Sequence, residues 1–206
     1  MRTKWFLAAL IGVALLLGRS DGIAQQQGQS GAQNAQGNDN AGDAARIIKG
    51  FRIAPVPLNL EGKNVALVGL GSYIVNGVGG CNDCHTSPPY AAGGDPFAGD
   101  PKKVNAARYL AGGTPFGDPT NPDTPVSRNL TPRANGLPAN LTWEQFRQVI
   151  RTGADLKDRR PFFPSEDHDL LQVMPWPVFQ DMNDRDLRAV YEYLRSIPSL
   201  PSTPTP

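Results

Sequence analysis

Cysteine is nearly absent from this chain. Its 206 residues hold two, Cys81 and Cys84. That excludes the disulfide-dense frameworks that staple small exported domains. Histidine is equally scarce, with only His85 and His168. A tetrahedral zinc site built from cysteine and histidine alone would therefore need all four, and the adjacent Cys84 and His85 suit its ligand spacing poorly. Excess charge of one sign is also lacking. The formal net charge is +1 and no basic patch dominates, which argues against nucleic acid as a partner. No alternating strand pattern of useful length occurs, so the βαβ setting of a thioredoxin-like dithiol is missing.

Glycine (22) and proline (20) are abundant, high against average usage. They predict a loop-rich domain with few helices and long irregular connections, and without a strand pattern the expected class is all-α. The length suits one domain with a genuine core. Residues 1–24 read as an export signal. Arg2 and Lys4 form a positive start, and Trp5 to Leu17 is an apolar run too short to span a bilayer comfortably. Gly22 and Ala24 then supply small residues around a cleavage site. The alternative is an uncleaved anchor. Either reading takes the body of the protein out of the cytoplasm, and a periplasmic location is expected. Residues 25–45 are Gln, Asn, Gly and Ala with little apolar content, which predicts a flexible linker. The folded domain is expected over 46–198, followed by a disordered tail over 199–206.

Three helices are predicted within the domain. The first runs roughly from Glu61 to Asn76. Gly69 and Gly71 lower its propensity, which suggests that another backbone approaches closely there. The second starts at Thr142, where Thr142 and Gln145 form a capping box and Gly153 supplies the stop. The third is capped by Asn183. Leu187, Val190, Tyr191 and Leu194 follow helical spacing, and Pro198 lies just beyond. The stretches 87–99 and 112–138 are loops long enough to need something to pack against.

Cys81, Cys84 and His85 make a Cys-x-x-Cys-His run, the attachment signature of c-type haem. Two thiols at that spacing can add to neighbouring vinyl groups of one porphyrin from a single turn of backbone. The histidine directly behind them can ligate the iron. A disulfide at this spacing would close a very small loop and stabilise little. One covalent haem c is the favoured reading, with disulfide and zinc as competitors. The cofactor would form much of the core, so the long loops would wrap it and binding would be coupled to folding. For the sixth iron ligand the candidates are Met174, Met182 and His168. Met174 sits in "QVMPWPVF", where Pro175 and Pro177 restrict the backbone. Met182 has a structural explanation as the hydrophobic-staple partner of Leu187. His168 lies among Glu166, Asp167 and Asp169 in an acidic, solvated segment. His85 and Met174 are therefore the expected axial pair. The competing functional reading is a haem enzyme or gas sensor with an open sixth position.

Several stretches resemble class I cytochrome c, and more closely the single-haem modules in cytochrome subunits of bacterial alcohol and sugar dehydrogenases. They are "GLGSYIVNGVGGCNDCHT" (69–86), "LAGGTPFG" (110–117), "SRNLTP" (127–132), "LTWEQFRQVIRTG" (141–153) and "MPWPVFQDMNDRDLRAVYEYLRSIP" (174–198). The resemblance implies a small cytochrome c-like domain whose first and last helices cross, near Gly69 and Tyr73 on one and Val190, Tyr191 and Leu194 on the other. It implies thioether bonds at Cys81 and Cys84, a proximal ligand at His85 and a distal one at Met174. Arg128, Asn129 and Trp143 resemble residues lining the haem propionate edge. The implied role is electron transfer rather than catalysis. The implied partners are redox proteins such as a dehydrogenase or terminal oxidase, with membrane association through a partner. Acidic residues near the distal loop, including Asp181, Asp184 and Asp186, could steer a basic partner or simply form a solvated face.

Overall fold

The computed structural model describes residues 42–156 and 170–204. The export signal, linker residues 25–41, and His168 with Glu166, Asp167 and Asp169 lie outside the described residues. Six α-helices are present among those described: α1 (42–53), α2 (Val65–Tyr73), α3 (Cys81–His85), α4 (Trp143–Thr152), α5 (Trp176–Phe179) and α6 (Asp184–Ser196). Among the described residues, β-pairing is limited to isolated bridges. The described residues form an all-α domain, the expected class.

The predicted helices form where local chemistry asks for them. The Asn64 side chain accepts the Leu67 N–H at 3.1 Å and starts α2. That helix is shorter than expected and widens into a π-helical turn over Ile74–Val78. The Thr142–Gln145 capping box is complete, and Gly153 closes α4 with φ +71. Asn183 caps α6 by accepting the Asp186 N–H at 2.7 Å. Glycine in a left-handed conformation and short polar caps are the ordinary solutions for helix ends.

Helix α1 was not predicted. It takes in 42–45, the end of the segment expected as linker. It packs on α2 through the glycine pair Gly50 and Gly69. A Cβ on Gly50 would lie 1.9 Å from the Gly69 carbonyl oxygen, and one on Gly69 would meet Phe51 and Ile47. Asp43 also pairs with Arg185, joining α1 to α6. Helix α2 crosses α6 at Gly71, where a Cβ would stand 1.9 Å from the Ala189 carbonyl oxygen. The close approach read from Gly69 and Gly71 is thus present twice. Gly69 faces α1, and only Gly71 faces α6.

The main core gathers Val68, Leu110, Phe146, Ile150, Leu187 and Leu194 from three helices and one loop. One polar cluster is sealed within it. Tyr109 O–H donates to Asn76 Oδ1 at 2.5 Å. The two phenol oxygens of Tyr109 and Tyr193 stand 2.9 Å apart, and Asn76 Nδ2 donates to Tyr193 at 3.1 Å. Since Tyr109 has used its proton on Asn76, Tyr193 donates to Tyr109, and the three groups close a ring. Burial pushes both phenols above their ordinary range, so the ring is uncharged. It joins the π-helical turn after α2 to α6 and the 106–110 loop.

The segment expected as a disordered tail is bonded to the domain at Leu200 and Thr203. Leu200 N–H donates to Thr131 Oγ1 at 3.1 Å, and Thr203 N–H donates to the Ala111 carbonyl at 3.1 Å. Its order comes from partners far away in sequence, which composition does not reveal. No helix among the described residues is long and apolar enough to cross a membrane.

Candidate functional site

The site begins with α3. Gly80 enters it at φ +61, and Cys81 occupies its first position. Residues three apart on a helix share a face, so Cys81 and Cys84 stand together on one turn. Both are free thiols and half-buried. Burial pushes the Cys81 thiol up to about 11, and burial together with the Asp83 carboxylate raises Cys84. A reactive dithiol uses an electropositive setting that lowers a thiol pKa. Here both thiols are kept protonated.

The loops after α3 are stitched back onto it. The His85 carbonyl accepts the Gly112 N–H at 2.7 Å, and Thr86 Oγ1 accepts the Leu110 N–H at 2.9 Å. Gly112, at φ +72, lets the 127–129 backbone lie directly against 110–112. A Cβ there would fall 2.5 Å from the Ser127 carbonyl oxygen. This contact carries the Arg128 carbonyl to His85, whose Nδ1 lies 2.8 Å from it. A carbonyl only accepts, so Nδ1 carries the proton and Nε2 keeps its lone pair. Burial pushes the His85 pKa below its ordinary value, which keeps the ring neutral. A neutral imidazole whose second nitrogen is fixed by a backbone carbonyl is the usual state of a metal-ligating histidine. Among the described residues no group of three or more His, Cys, Asp or Glu is arranged to hold a metal ion by itself. Two thiols on one turn and a neutral imidazole with a free Nε2 are the donor set that a covalently held porphyrin would use.

Met174 is half-buried and packs against the same core cluster as Cys81. A small closed strap holds it. Leu171 N–H donates to the Gly153 carbonyl at 2.8 Å, and Leu170 bridges to Ala154. The Trp176 indole donates to the Leu171 carbonyl at 3.3 Å, and Trp176 N–H to the Met174 carbonyl at 2.8 Å. The Trp176 ring lies against Gly153, where a Cβ would come within 2.2 Å of it. Met182 packs against both core clusters, next to the start of α6.

The three residues expected at a propionate edge have protein partners. Arg128 pairs with Asp155. Asn129 Oδ1 accepts from both the N–H and the Oγ1 of Thr131, and its Nδ2 donates to the Leu200 carbonyl at 2.9 Å and faces Ser202 Oγ at 3.5 Å. Its amide has no further capacity. Trp143 is 5.6 Å from the Tyr191 ring and carries the Arg188 guanidinium over its face. Sequence reasoning missed Gly112, Asp155 and the Arg128 carbonyl. A backbone oxygen leaves no mark in a sequence, and only the Gly-Gly pair 112–113 hinted at a close contact. Two surface cavities, of about 610 and 340 Å³, flank Pro57, and neither is lined by Cys81, His85 or Met174.

An all-α domain with a Cys-x-x-Cys-His turn, its imidazole fixed by a carbonyl and a methionine strap on the shared core, is cytochrome c-like. The chain is similar to cytochrome subunits of dehydrogenases. It is 29% identical over 130 residues to the gluconate 2-dehydrogenase cytochrome c subunit of Pantoea cypripedii, covering 63% of this chain and 23% of that protein. It is 30% identical over 128 residues to the cytochrome c subunit of the quinone alcohol dehydrogenase of Gluconobacter oxydans, covering 62% of this chain and 21% of that protein. A nicotinate dehydrogenase component of Pseudomonas putida is 30% identical over 145 residues, with 70% of this chain and 10% of that protein aligned. The chain thus spans about a quarter or less of the relatives it matches. No protein-family profile matches it, and no solved structure matches it significantly.

Proposed function

We propose that this protein is an exported monohaem c-type cytochrome that passes single electrons between redox partners and does no bond chemistry on a substrate. The observation that carries this reading is the contact between His85 Nδ1 and the Arg128 carbonyl. Its Nδ1–H is spent on the Arg128 carbonyl at 2.8 Å, directly behind two unpaired thiols on one helical turn. That arrangement leaves Nε2 as a ligand and both sulfurs available for thioether bonds.

When bound, haem c supplies one-electron exchange at iron. The chain's own residues do the rest. Cys81 and Cys84 would hold the porphyrin through thioether bonds, and His85 would supply an imidazole to its iron. Met174, on a strap tied to the end of α4, would supply a thioether. A thioether there raises the reduction potential relative to a second imidazole. Of the residues expected near the propionates, Arg128 retains guanidinium donors beyond those turned to Asp155, whereas Asn129 serves the C-terminal segment. The similarity to dehydrogenase cytochrome subunits supports a dehydrogenase as the electron donor. The apolar leader supports a periplasmic location.

The oxidised protein is expected to be low-spin, with the near-red band of a sulfur–iron bond. Met174→Ala abolishes that band, and Met182→Ala keeps it. Retention of the band in Met174→Ala, or tight carbon monoxide binding by the unsubstituted protein at neutral pH, contradicts the proposed axial pair and favours an open sixth position.

A further inference from the structure

The turn after α4 holds both sides of the site. Gly153 and Ala154 bind the strap that presents Met174. Two residues on from Gly153, the Asp155 carboxylate binds the guanidinium of Arg128, the residue whose carbonyl orients His85. Asp155 is far more enclosed than its partner, with side-chain exposures of 9% and 35%. A carboxylate so enclosed is kept there by its ion pair and hydrogen bonds.

The backbone around Arg128 has two further anchorages among the described residues. On the His85 side it bonds the 110–114 segment, with Gly113 N–H to the Ser127 carbonyl at 3.0 Å and Leu130 N–H to the Leu110 carbonyl at 2.8 Å. The adjacent Asn129 bonds the C-terminal segment, its Nδ2 donating to the Leu200 carbonyl at 2.9 Å. The Arg128–Asp155 pair ties this segment to the turn after α4 and so to the methionine strap.

We propose that Asp155 is a positioning residue for both axial ligands, coupling the orientation of His85 to the seating of Met174 through Arg128 and the Gly153–Asp155 turn. This rests on the haem reading above. Asp155 touches neither ligand and acts through other residues. Without its carboxylate, the Arg128 segment shifts against α4, loosening the Nδ1–H···O bond on one side and the strap on the other.

The test uses the full-length holoprotein and three variants, Asp155→Ala, Asp155→Asn and Asp155→Glu. Ferric protein is titrated with imidazole, which competes with the Met174 thioether. Solvent exchange of the His85 Nδ1 proton is followed by NMR. In Asp155→Ala, imidazole binds about tenfold tighter and the Nδ1 proton exchanges faster. Asp155→Asn moves both in the same direction by less, and it carries the test should Asp155→Ala yield no holoprotein. Asp155→Glu restores both. Asp43→Asn, which cuts the distant α1–α6 tie, lowers thermal stability without moving either readout. Unchanged imidazole affinity, or a change on one side of the haem alone, overturns the proposal. If the unsubstituted protein instead carries no haem or lacks the sulfur–iron band, the functional reading itself has failed, independently of Asp155.

Discussion

Gly71→Ala should destabilise the domain despite improving the intrinsic propensity of α2. The added Cβ would stand 1.9 Å from the Ala189 carbonyl oxygen and 2.5 Å from its carbonyl carbon. Ordinary carbon–oxygen contacts begin near 3.3 Å, so α2 and α6 must part by roughly 1.4 Å. The obstacle is helix backbone, which cannot swing aside as a side chain can. Overpacking of this kind costs about 1–3 kcal/mol, and a rigid neighbour places it near 3. Replacing Gly by Ala within a helix returns about 1 kcal/mol. The net loss is about 2 kcal/mol, or about 4–8 °C in Tm for a domain of this size. Guanidinium unfolding of the holoprotein, followed by far-UV circular dichroism, measures it. Gly42→Ala is the control, because a Cβ there meets nothing within 4 Å. A Gly71→Ala protein as stable as the parent, or more so, would refute the close crossing of α2 and α6.

Tyr109→Phe opens the buried ring, leaving Asn76 Oδ1 without its donor and Tyr193 without its acceptor. Denaturant unfolding should show a loss of about 2–4 kcal/mol, and a change below about 0.5 kcal/mol contradicts the ring. Asp43→Asn tests the Asp43–Arg185 ion pair that ties α1 to α6. Hydrogen bonding to Arg185 holds the Asp43 carboxyl below its ordinary range. Its folded pKa is therefore depressed, and its stabilisation is present above the unfolded value of about 3.9 and lost as pH falls through the folded one. Unfolding curves of parent and variant should differ at pH 7 and converge at pH 2. A gap that does not change with pH contradicts the assignment.

Much of the site was legible in the sequence because its chemistry is local. Cys81, Cys84 and His85 are adjacent on one turn. The caps at Thr142 and Asn183 depend on neighbours three residues away, and the structure reproduces both. What escaped the sequence depends on distant backbone. Helix α1 exists in its place because Gly50 meets Gly69, and nothing in the polar 42–45 stretch announces that. Residues 199–204 read as a tail until Asn129 and Thr131 supply partners. Asn129 illustrates the limit of resemblance: the residue is in the expected loop, but its amide is occupied by the C-terminal segment. Arg128 matters here through its carbonyl, which any residue could have provided, and through a carboxylate on another element. The glycines at 69 and 71 announced a close approach without saying which helix made it.

Covalent attachment of one haem at Cys81 and Cys84 is the claim on which the functional reading stands. The most direct measurement is the intact mass of the mature protein, made in a host that attaches haem c, with its absorption spectrum. The account predicts a mass one haem above the polypeptide, an intense Soret band, and a haem stain that stays with the chain after denaturing electrophoresis. A mass equal to the polypeptide alone, with no Soret band, contradicts it.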